Sequence, residues 1–360
     1  MIAYIILITL ILVFFIIPSI LAYILYKAVI CPSSDKSMFL SAPHNKSQKN
    51  DKISSNLEKS KLLKKLFSAI ISYFNFQKSS SNYPNNNIPK IHKTDPLANQ
   101  ETILKKKFKD KSKNVFTTSH DGLKLHALIL ENKQHSDKWV IMCHGYSGNA
   151  LRIAPLGKIF YDFGFNILAP NARGHGKSEG AYIGMGWHER FDILQWIDKI
   201  ISTNANAKIA LYGISMGAAT VMMTSGEKKL PNQVKGIIED CGYTSAWDEF
   251  KYQFKKFFKI SSFPILNLMS LITKLKTGYS FKEASAINQI KKSHIPILFI
   301  HGSCDTFVPT YMLNDLYNAA NYPKEKLLIE GAFHTRSHNV APQKYESTIK
   351  NFTEKYIKIF

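Results

Sequence analysis

The chain has 360 residues, of which 45% are hydrophobic and 12% aromatic, and it carries a formal net charge of +21. This composition excludes an intrinsically disordered chain and allows one large α/β domain with an additional segment. The four cysteines have no C-x-x-C spacing, so neither a zinc knuckle nor a redox pair is predicted.

The N-terminal segment is strongly apolar. Its first 26 residues contain no charged side chain, and the first charge is Lys27. A helix of this length exceeds the roughly 30 Å of bilayer hydrocarbon. A cleaved signal peptide is the alternative, but no positive residue precedes the apolar stretch and no A-x-A site follows it. We therefore expect residues 1–26 to form an uncleaved single-pass transmembrane anchor.

Residues 27–100 form a basic, low-complexity connector rich in Ser, Asn and Lys. The stretch 27–113 contains 18 Lys and Arg against 6 Asp and Glu. No nucleic-acid-binding motif accompanies this charge, so we expect anionic lipid headgroups rather than nucleic acid as its partner. Within the connector, 57–74 has the apolar spacing of an amphipathic helix, which either docks on the catalytic domain or lies in the headgroup plane.

The charges beside the anchor also bear on its orientation. Lys27, Lys36 and Lys46 follow the apolar segment, whereas no Lys or Arg precedes it. The positive-inside rule therefore favours a cytoplasmic catalytic domain at the cell membrane, although the side remains open.

Residues 101–360 alternate between strand and helix patterns. Two strands flank the turn "HDG", and apolar strands such as "KWVIMCHG", "KIALYG" and "IPILFIHG" are separated by helical patterns. The alternation predicts an α/β fold with a mostly parallel sheet and helices on both faces. The mostly helical insertion at 243–290 is expected to form a cap over the carboxyl ends of the strands.

A serine between two glycines follows one of these strands. In "YGISMG", Ser215 stands between the strand "KIALYG" and a helical pattern, with Gly213 and Gly217 at the offsets that a tight strand-to-helix turn needs. A serine hydroxyl is a weak nucleophile unless a base accepts its proton. Ser215 is therefore our candidate nucleophile.

The required acid and base are expected after later strands. Asp305 follows the strand in "FIHGSCDTFVP", and His334 follows the next strand in "LLIEGAFHTRS", which is the chain order of the acid and the histidine in such folds. Asp240, after "VKGIIE", is an alternative acid, and His338 is an alternative base.

Acyl transfer also needs donors for the oxyanion that forms in the reaction. The backbone N–H groups of Met216 and of Tyr146, in "MCHGYSGNA", are the predicted oxyanion hole. His144 is interpreted as a structural loop residue. The stretch "NARGHGKSEG" (171–180) lacks the phosphate-binding spacing and is interpreted as a structured turn.

Six stretches of the sequence together resemble the α/β-hydrolase superfamily: "HGYSGN", "ARGHGKSEG", "YGISMG", "IIEDCGYTS", "FIHGSCDTFVP" and "GAFHTRS". The resemblance is greatest to membrane-anchored hydrolases of Gram-positive bacteria related to the serine aminopeptidase-like and BEM46-like group. It spans roughly residues 95–358 and implies an eight-stranded sheet with Ser215 as nucleophile, Asp305 as acid and His334 as base. The long insertion near 44–92 departs from the usual shorter connector.

These features predict a membrane-anchored serine hydrolase that cleaves an acyl or aryl ester through an acyl-enzyme, without a metal or an organic cofactor. The Phe-, Leu- and Ile-rich insertion favours a small-molecule ester substrate over a peptide. A peptidase or amidase is the alternative enzyme. A non-catalytic module for binding a lipid or a partner is the alternative from another class, which the presence of Ser215, Asp305 and His334 disfavours.

Overall fold

A computed structural model describes residues 16–32, 96–259 and 261–357, together with Tyr4. The described residues divide into two compact units. One contains the described residues up to 100 together with 250–272, and the other, which we call the sheet unit, contains 101–249 and the described residues from 273 onwards.

The secondary structure alternates as the sequence predicts. The strands are β1 (Lys113–Thr118), β2 (Lys124–Leu130), β3 (Lys138–Cys143), β4 (Asn166–Pro170), β5 (Lys208–Ile214), β6 (Val234–Asp240), β7 (Ile297–Gly302) and β8 (Lys324–Ile329). The helices are α1 (Ile17–Val29), α2 (Pro96–Lys111), α3 (Ala150–Asp162), α4 (Glu189–Thr203), α5 (Met216–Ser225), α6 (Ala246–Phe258), α7 (Ile265–Thr277), α8 (Ala286–Ile290), α9 (Tyr311–Ala319), α10 (Ser337–Val340) and α11 (Pro342–Tyr356).

The eight strands form one sheet in the order β1-β2-β4-β3-β5-β6-β7-β8. β1 and β2 pair antiparallel, and β2 joins β4 in the same way. From β4 to β8 every pairing is parallel. The prediction of a mostly parallel, eight-stranded sheet is therefore confirmed, and the carboxyl ends of β5 and β7 lie at the same edge.

The central strands are mostly apolar and buried because helices cover the sheet. Every residue of β7 is buried, and in β3 only Lys138 is partly exposed. Phe160, Tyr212 and Phe352 are fully buried members of one continuous core. This packing holds the strand ends in a fixed register, which is what a site built from several loops requires.

The N-terminal helix α1 continues three residues beyond the predicted anchor boundary, to Val29. Its buried residues are Pro18, Ala22, Leu25, Tyr26 and Val29, which lie along one helical face. Within the described residues, no helix has both the length and the hydropathy needed to cross a membrane. Apart from Tyr4, the first 15 residues of the predicted anchor lie outside the described residues, as does the predicted amphipathic helix at 57–74.

Helices α6, α7 and α8 occupy the predicted insertion between β6 and β7. In the first unit, Leu25 and Val29 of α1 line a small apolar cavity of about 50 Å³ together with Phe250, Phe254 and Met269. The part of α1 nearest the connector therefore packs against α6 and α7 inside one compact unit.

Candidate active site

Ser215 stands in the turn between β5 and α5. Its backbone has φ 56° and ψ −117°, a strained conformation for a residue with a side chain. The turn is also very crowded: a Cβ on Gly213 would lie 2.1 Å from the carbonyl O of Gly217, and a Cβ on Gly217 would lie 2.1 Å from the carbonyl O of Cys143. Only glycine fits at these two positions, which explains the G-x-S-x-G spacing.

The structure brings Ser215, His334 and Asp305 into one hydrogen-bonded series. His334 Nε2 lies 2.9 Å from Ser215 Oγ, and His334 Nδ1 lies 2.7 Å from Asp305 Oδ2. A carboxylate only accepts, so Nδ1 carries the proton and Nε2 is left to accept from the serine hydroxyl. The Asp305 side chain is fully buried, and that of His334 is 12% exposed. A reagent can therefore reach the imidazole but not the carboxylate behind it.

Asp305 lies in the loop after β7, and the backbone fixes its orientation. Its Oδ1 accepts hydrogen bonds from the N–H groups of Phe307 at 2.8 Å and Val308 at 3.0 Å. Burial alone would raise the pKa of this carboxyl, but the imidazoles of His334 and His301 outweigh that effect and lower the pKa to about 2. Asp305 is therefore ionised at neutral pH.

The alternative acid and base make other contacts. Asp240 Oδ2 accepts a hydrogen bond of 2.8 Å from the Tyr345 hydroxyl, and that hydroxyl also lies 2.8 Å from the hydroxyl of Tyr212. His338 packs its ring against Tyr345, with 6.0 Å between the ring centroids. The geometry therefore favours Asp305 and His334 over these two residues.

The loop after β3 runs beside the serine. A Cβ on Gly145 would lie 3.4 Å from Ser215 Cβ and 4.0 Å from its Oγ, so the backbone next to Tyr146 is close to the nucleophile. Met216 is the first residue of α5, and the first N–H groups of a helix have no partner within the helix. The assignment of these two N–H groups to an oxyanion hole stays a prediction.

The neighbouring loops are held together by His144. Its Nε2 accepts from the N–H of Ala172 at 3.0 Å, so Nδ1 carries the proton and donates to the carbonyl O of Gly145 at 2.8 Å. Burial lowers the pKa of His144 to about 3, and the imidazole is therefore neutral. This is the structural role that the sequence predicts, and 171–180 is the structured turn that it joins.

Sequence reasoning missed two sets of residues. Arg173 is fully buried and pairs with Asp121 and Asp192, which lie far from it in the sequence. His301, four residues before Asp305, also contacts that carboxylate, with 3.3 Å between its Nε2 and Asp305 Oδ2. The sequence signal for His301 is its position in "FIHGSCD", close to the predicted acid. Nothing in the spacing, however, distinguishes it from an ordinary residue of the strand.

Two groups of possible metal ligands occur within the described residues, with ligand atoms within 4.8 Å of one another. One consists of Cys241, Asp305 and His334, of which the last two already bond to each other. The other consists of His120, Asp121 and Asp192, whose two carboxylates bind Arg173. The partners already present satisfy both groups. Cys143 and Cys241 are buried, whereas Cys304 is exposed, because it lies in the turn that follows β7.

Comparison with known proteins agrees with this fold. The model of the family described as serine aminopeptidase, S33, matches residues 134–269. The structure of the esterase Pf2001 from Pyrococcus furiosus superposes with a TM-score of 0.57 at 23% identity, covering 70% of this chain and 95% of the esterase. With the eight-stranded, mostly parallel sheet, this superposition shows that the chain has the α/β-hydrolase fold.

Sequence relatives match over part of the chain. The chain is 29% identical over 220 residues to the Bacillus subtilis protein YqkD, covering 60% of this chain and 70% of that protein. It is 22% identical over 233 residues to the human monoglyceride lipase, covering 54% of this chain and 74% of the lipase.

Proposed function

We propose that the protein is a membrane-anchored serine hydrolase that cleaves carboxylic esters, acyl or aryl, through Ser215, His334 and Asp305. The observation that carries the proposal is the hydrogen-bonded series from the serine hydroxyl to the imidazole to the carboxylate, at 2.9 and 2.7 Å. These distances are within the range needed for proton transfer and for orienting the base.

The reaction begins when His334 Nε2 accepts the proton of Ser215 as Oγ attacks the ester carbonyl. The ionised Asp305 stabilises the imidazolium that forms, and the N–H groups of Met216 and Tyr146 donate to the oxyanion. His334 then returns the proton to the leaving alcohol. Water, activated by the same imidazole, hydrolyses the acyl-enzyme and regenerates Ser215.

An ester substrate is supported by two observations. Phe and Leu side chains are frequent in α6 and α7, and esterases occur among the proteins of similar fold. A peptidase or amidase is the alternative, favoured by the description of the matching family as serine aminopeptidase. Rates on p-nitrophenyl esters of graded acyl length, compared with those on p-nitroanilides, separate the two.

Labelling with a fluorophosphonate tests the serine directly. We expect the wild-type protein to be labelled and Ser215→Ala to be unlabelled, because the reagent captures only an activated serine. Ser202→Ala is the matched control: this serine lies in the last turn of α4, bonded to the carbonyl O of Lys199, and its removal should leave labelling unchanged. Undiminished labelling of Ser215→Ala would refute the proposal.

Anchoring is supported by the charge-free first 26 residues. The predicted basic connector, 27–100, adds attraction to anionic lipid. In a Cys304→Ser background, which removes an exposed thiol, a cysteine introduced within 79–90 reports the side of the membrane. The positive-inside rule leads us to expect no labelling by an impermeant reagent in intact cells.

A further inference from the structure

A second imidazole reaches the carboxylate of Asp305. His301 is the next-to-last residue of β7, and its side chain is fully buried. Its Nε2 lies 3.0 Å from the carbonyl O of Val308 and 3.3 Å from Asp305 Oδ2. The same Oδ2 accepts from His334 Nδ1 at 2.7 Å. One carboxylate oxygen therefore lies between two imidazoles.

The direction of the contact follows from Val308. A carbonyl oxygen can only accept, so Nε2 of His301 must carry a hydrogen. That N–H donates to the carbonyl O of Val308, and Nε2 also lies 3.3 Å from Asp305 Oδ2, within ion-pair distance. The assignment holds for the neutral tautomer and for the cation, so a protonated ring nitrogen faces Asp305 Oδ2 in either protonation state.

We propose that His301 is a positioning residue of the active site, which holds the Asp305 carboxylate so that Oδ2 faces Nδ1 of His334. The N–H groups of Phe307 and Val308 fix Oδ1, and His301 contacts Oδ2, the oxygen that also accepts from His334. His301 acts only through Asp305, because its side chain is fully buried and contacts that carboxylate. This inference rests on the proposed function, since it concerns the rate at which Ser215 turns over an ester.

The electrostatic surroundings favour a charged His301. The titratable groups around it belong to the ends of β6 and to the loops after β7 and β8: Glu239, Asp240, Cys241, Asp305 and His334. Glu239 pairs with Phe299, two residues before His301, so both side chains leave the same face of the sheet. Burial lowers the pKa of His301, but the ionised Asp305 outweighs it and raises the pKa to about 9.

Two substitutions separate the hydrogen bond from the charge. His301→Leu removes both, whereas His301→Gln keeps a neutral N–H donor at a similar distance from the backbone. With p-nitrophenyl butyrate as the probe, we expect kcat of His301→Leu to fall by about 10- to 100-fold with little change in KM. Loss of the aspartate itself costs about 10⁴-fold in a comparable triad, and a residue acting through it should cost less. His301→Gln should keep a kcat much closer to that of the wild type than His301→Leu does.

The pH profile provides a readout that a packing role would not change. A cationic His301 adds a positive charge beside the proposed acid and base, so either variant should move the acid limb of kcat/KM to higher pH. Wild-type kcat in His301→Leu would overturn the inference, as would an unmoved acid limb in His301→Gln. If His301→Leu does not fold, the position of the acid limb in the kcat/KM profile of His301→Gln decides whether the inference holds.

His126→Gln is the matched control for loss of a buried imidazole. His126 is 3% exposed and bonds through its ring to Asn114 and Asn171, at 2.8 Å in each case. We expect this variant to lower the Tm without changing kcat or the acid limb of kcat/KM. If His126→Gln lost as much kcat as His301→Leu and its acid limb moved equally far, the inference would also be overturned.

Fluorophosphonate labelling separates the two proposals. An unlabelled wild type refutes the proposed function, whereas a labelled wild type with unaffected His301 variants refutes only the positioning role.

Discussion

Two buried charged clusters in the sheet unit differ in the chemistry that their partners allow. In the first, the carboxylate of Asp305 receives the imidazoles of His334 and His301. In the second, the guanidinium of Arg173 binds two carboxylates, Asp192 through Nε at 2.8 Å and Nη2 at 2.6 Å, and Asp121 through Nη1 at 2.8 Å.

Burial alone does not separate the two clusters, because Arg173 and Asp305 are both fully buried. The difference is in the partner of the carboxylate. A guanidinium does not release its proton at any relevant pH, so the Arg173 cluster can only hold its loops together. An imidazole exchanges a proton near neutral pH, and that of His334 is partly exposed. A buried carboxylate becomes part of a reaction centre when its partner can give up a proton and can be reached.

The largest effect that would test this contrast is expected at Asp305. Asp305→Asn places an amide against Nδ1 of His334 and favours the wrong tautomer, so kcat on a p-nitrophenyl ester should fall by about 10⁴-fold. Asp240→Asn is the matched control, since this aspartate is equally buried but bonds to Tyr345 instead. A larger loss in Asp240→Asn than in Asp305→Asn would reverse the assignment of the acid.

The second test concerns stability. Arg173→Met leaves Asp192 buried without its partner, which should cost about 3–5 kcal/mol of unfolding free energy. The kcat of the molecules that remain folded should stay near the wild-type value. Urea denaturation followed by circular dichroism gives the first quantity, and a p-nitrophenyl ester assay on the folded protein gives the second.

Lys113→Met is the control for that variant. Its ion pair with Glu131 joins two largely exposed side chains, so its loss should change stability very little. The structural role assigned to Arg173 would be untenable if Arg173→Met were as stable as this control, or if it lost activity without losing stability.

The smallest expected effect is on the pH dependence of stability. Burial raises the pKa of Glu239 from 4.5 to about 8, so the folded state binds its proton more tightly than the unfolded state does. The stabilisation is complete below about pH 4.5 and is lost as the pH rises through 8. His301, with a pKa raised from 6.5 to about 9, contributes in the same direction, and its stabilisation is lost as the pH rises through 9.

We therefore expect the Tm of the wild type to be a few degrees lower at pH 9 than at pH 6. Glu239→Gln keeps a neutral group of the same size and should flatten this dependence, while His301→Gln should flatten it less. Differential scanning calorimetry across this pH range makes the measurement. An equally steep dependence in Glu239→Gln would show that this carboxyl is already ionised in the folded protein.

Much of the fold could be predicted from local patterns. The period of the apolar residues marks the strands, and the observed helices alternate with them as the sequence predicts. The strand–serine–helix turn was also predictable, because Gly213 and Gly217 are required by contacts within a few residues and with the neighbouring strand. Asp305 and His334 could be named because each follows a strand whose end lies at the same edge of a parallel sheet.

The contacts that depend on distant parts of the chain could not be predicted. Arg173 meets Asp121 across 52 residues of sequence and Asp192 across 19, and neither spacing is a motif. The packing of α1 against α6 and α7 joins segments more than 200 residues apart.

The sequence by itself determined the order of the strands along the chain, the turn that carries Ser215 and the choice of residues that follow the later strands. Only the tertiary structure decided that His334 bonds to Asp305 rather than Asp240, and that His301 meets the same carboxylate oxygen. The physical reason is that local patterns depend on backbone geometry over a few residues. Hydrogen bonds between loops depend instead on the register of the sheet, which is set only when all the strands pack together.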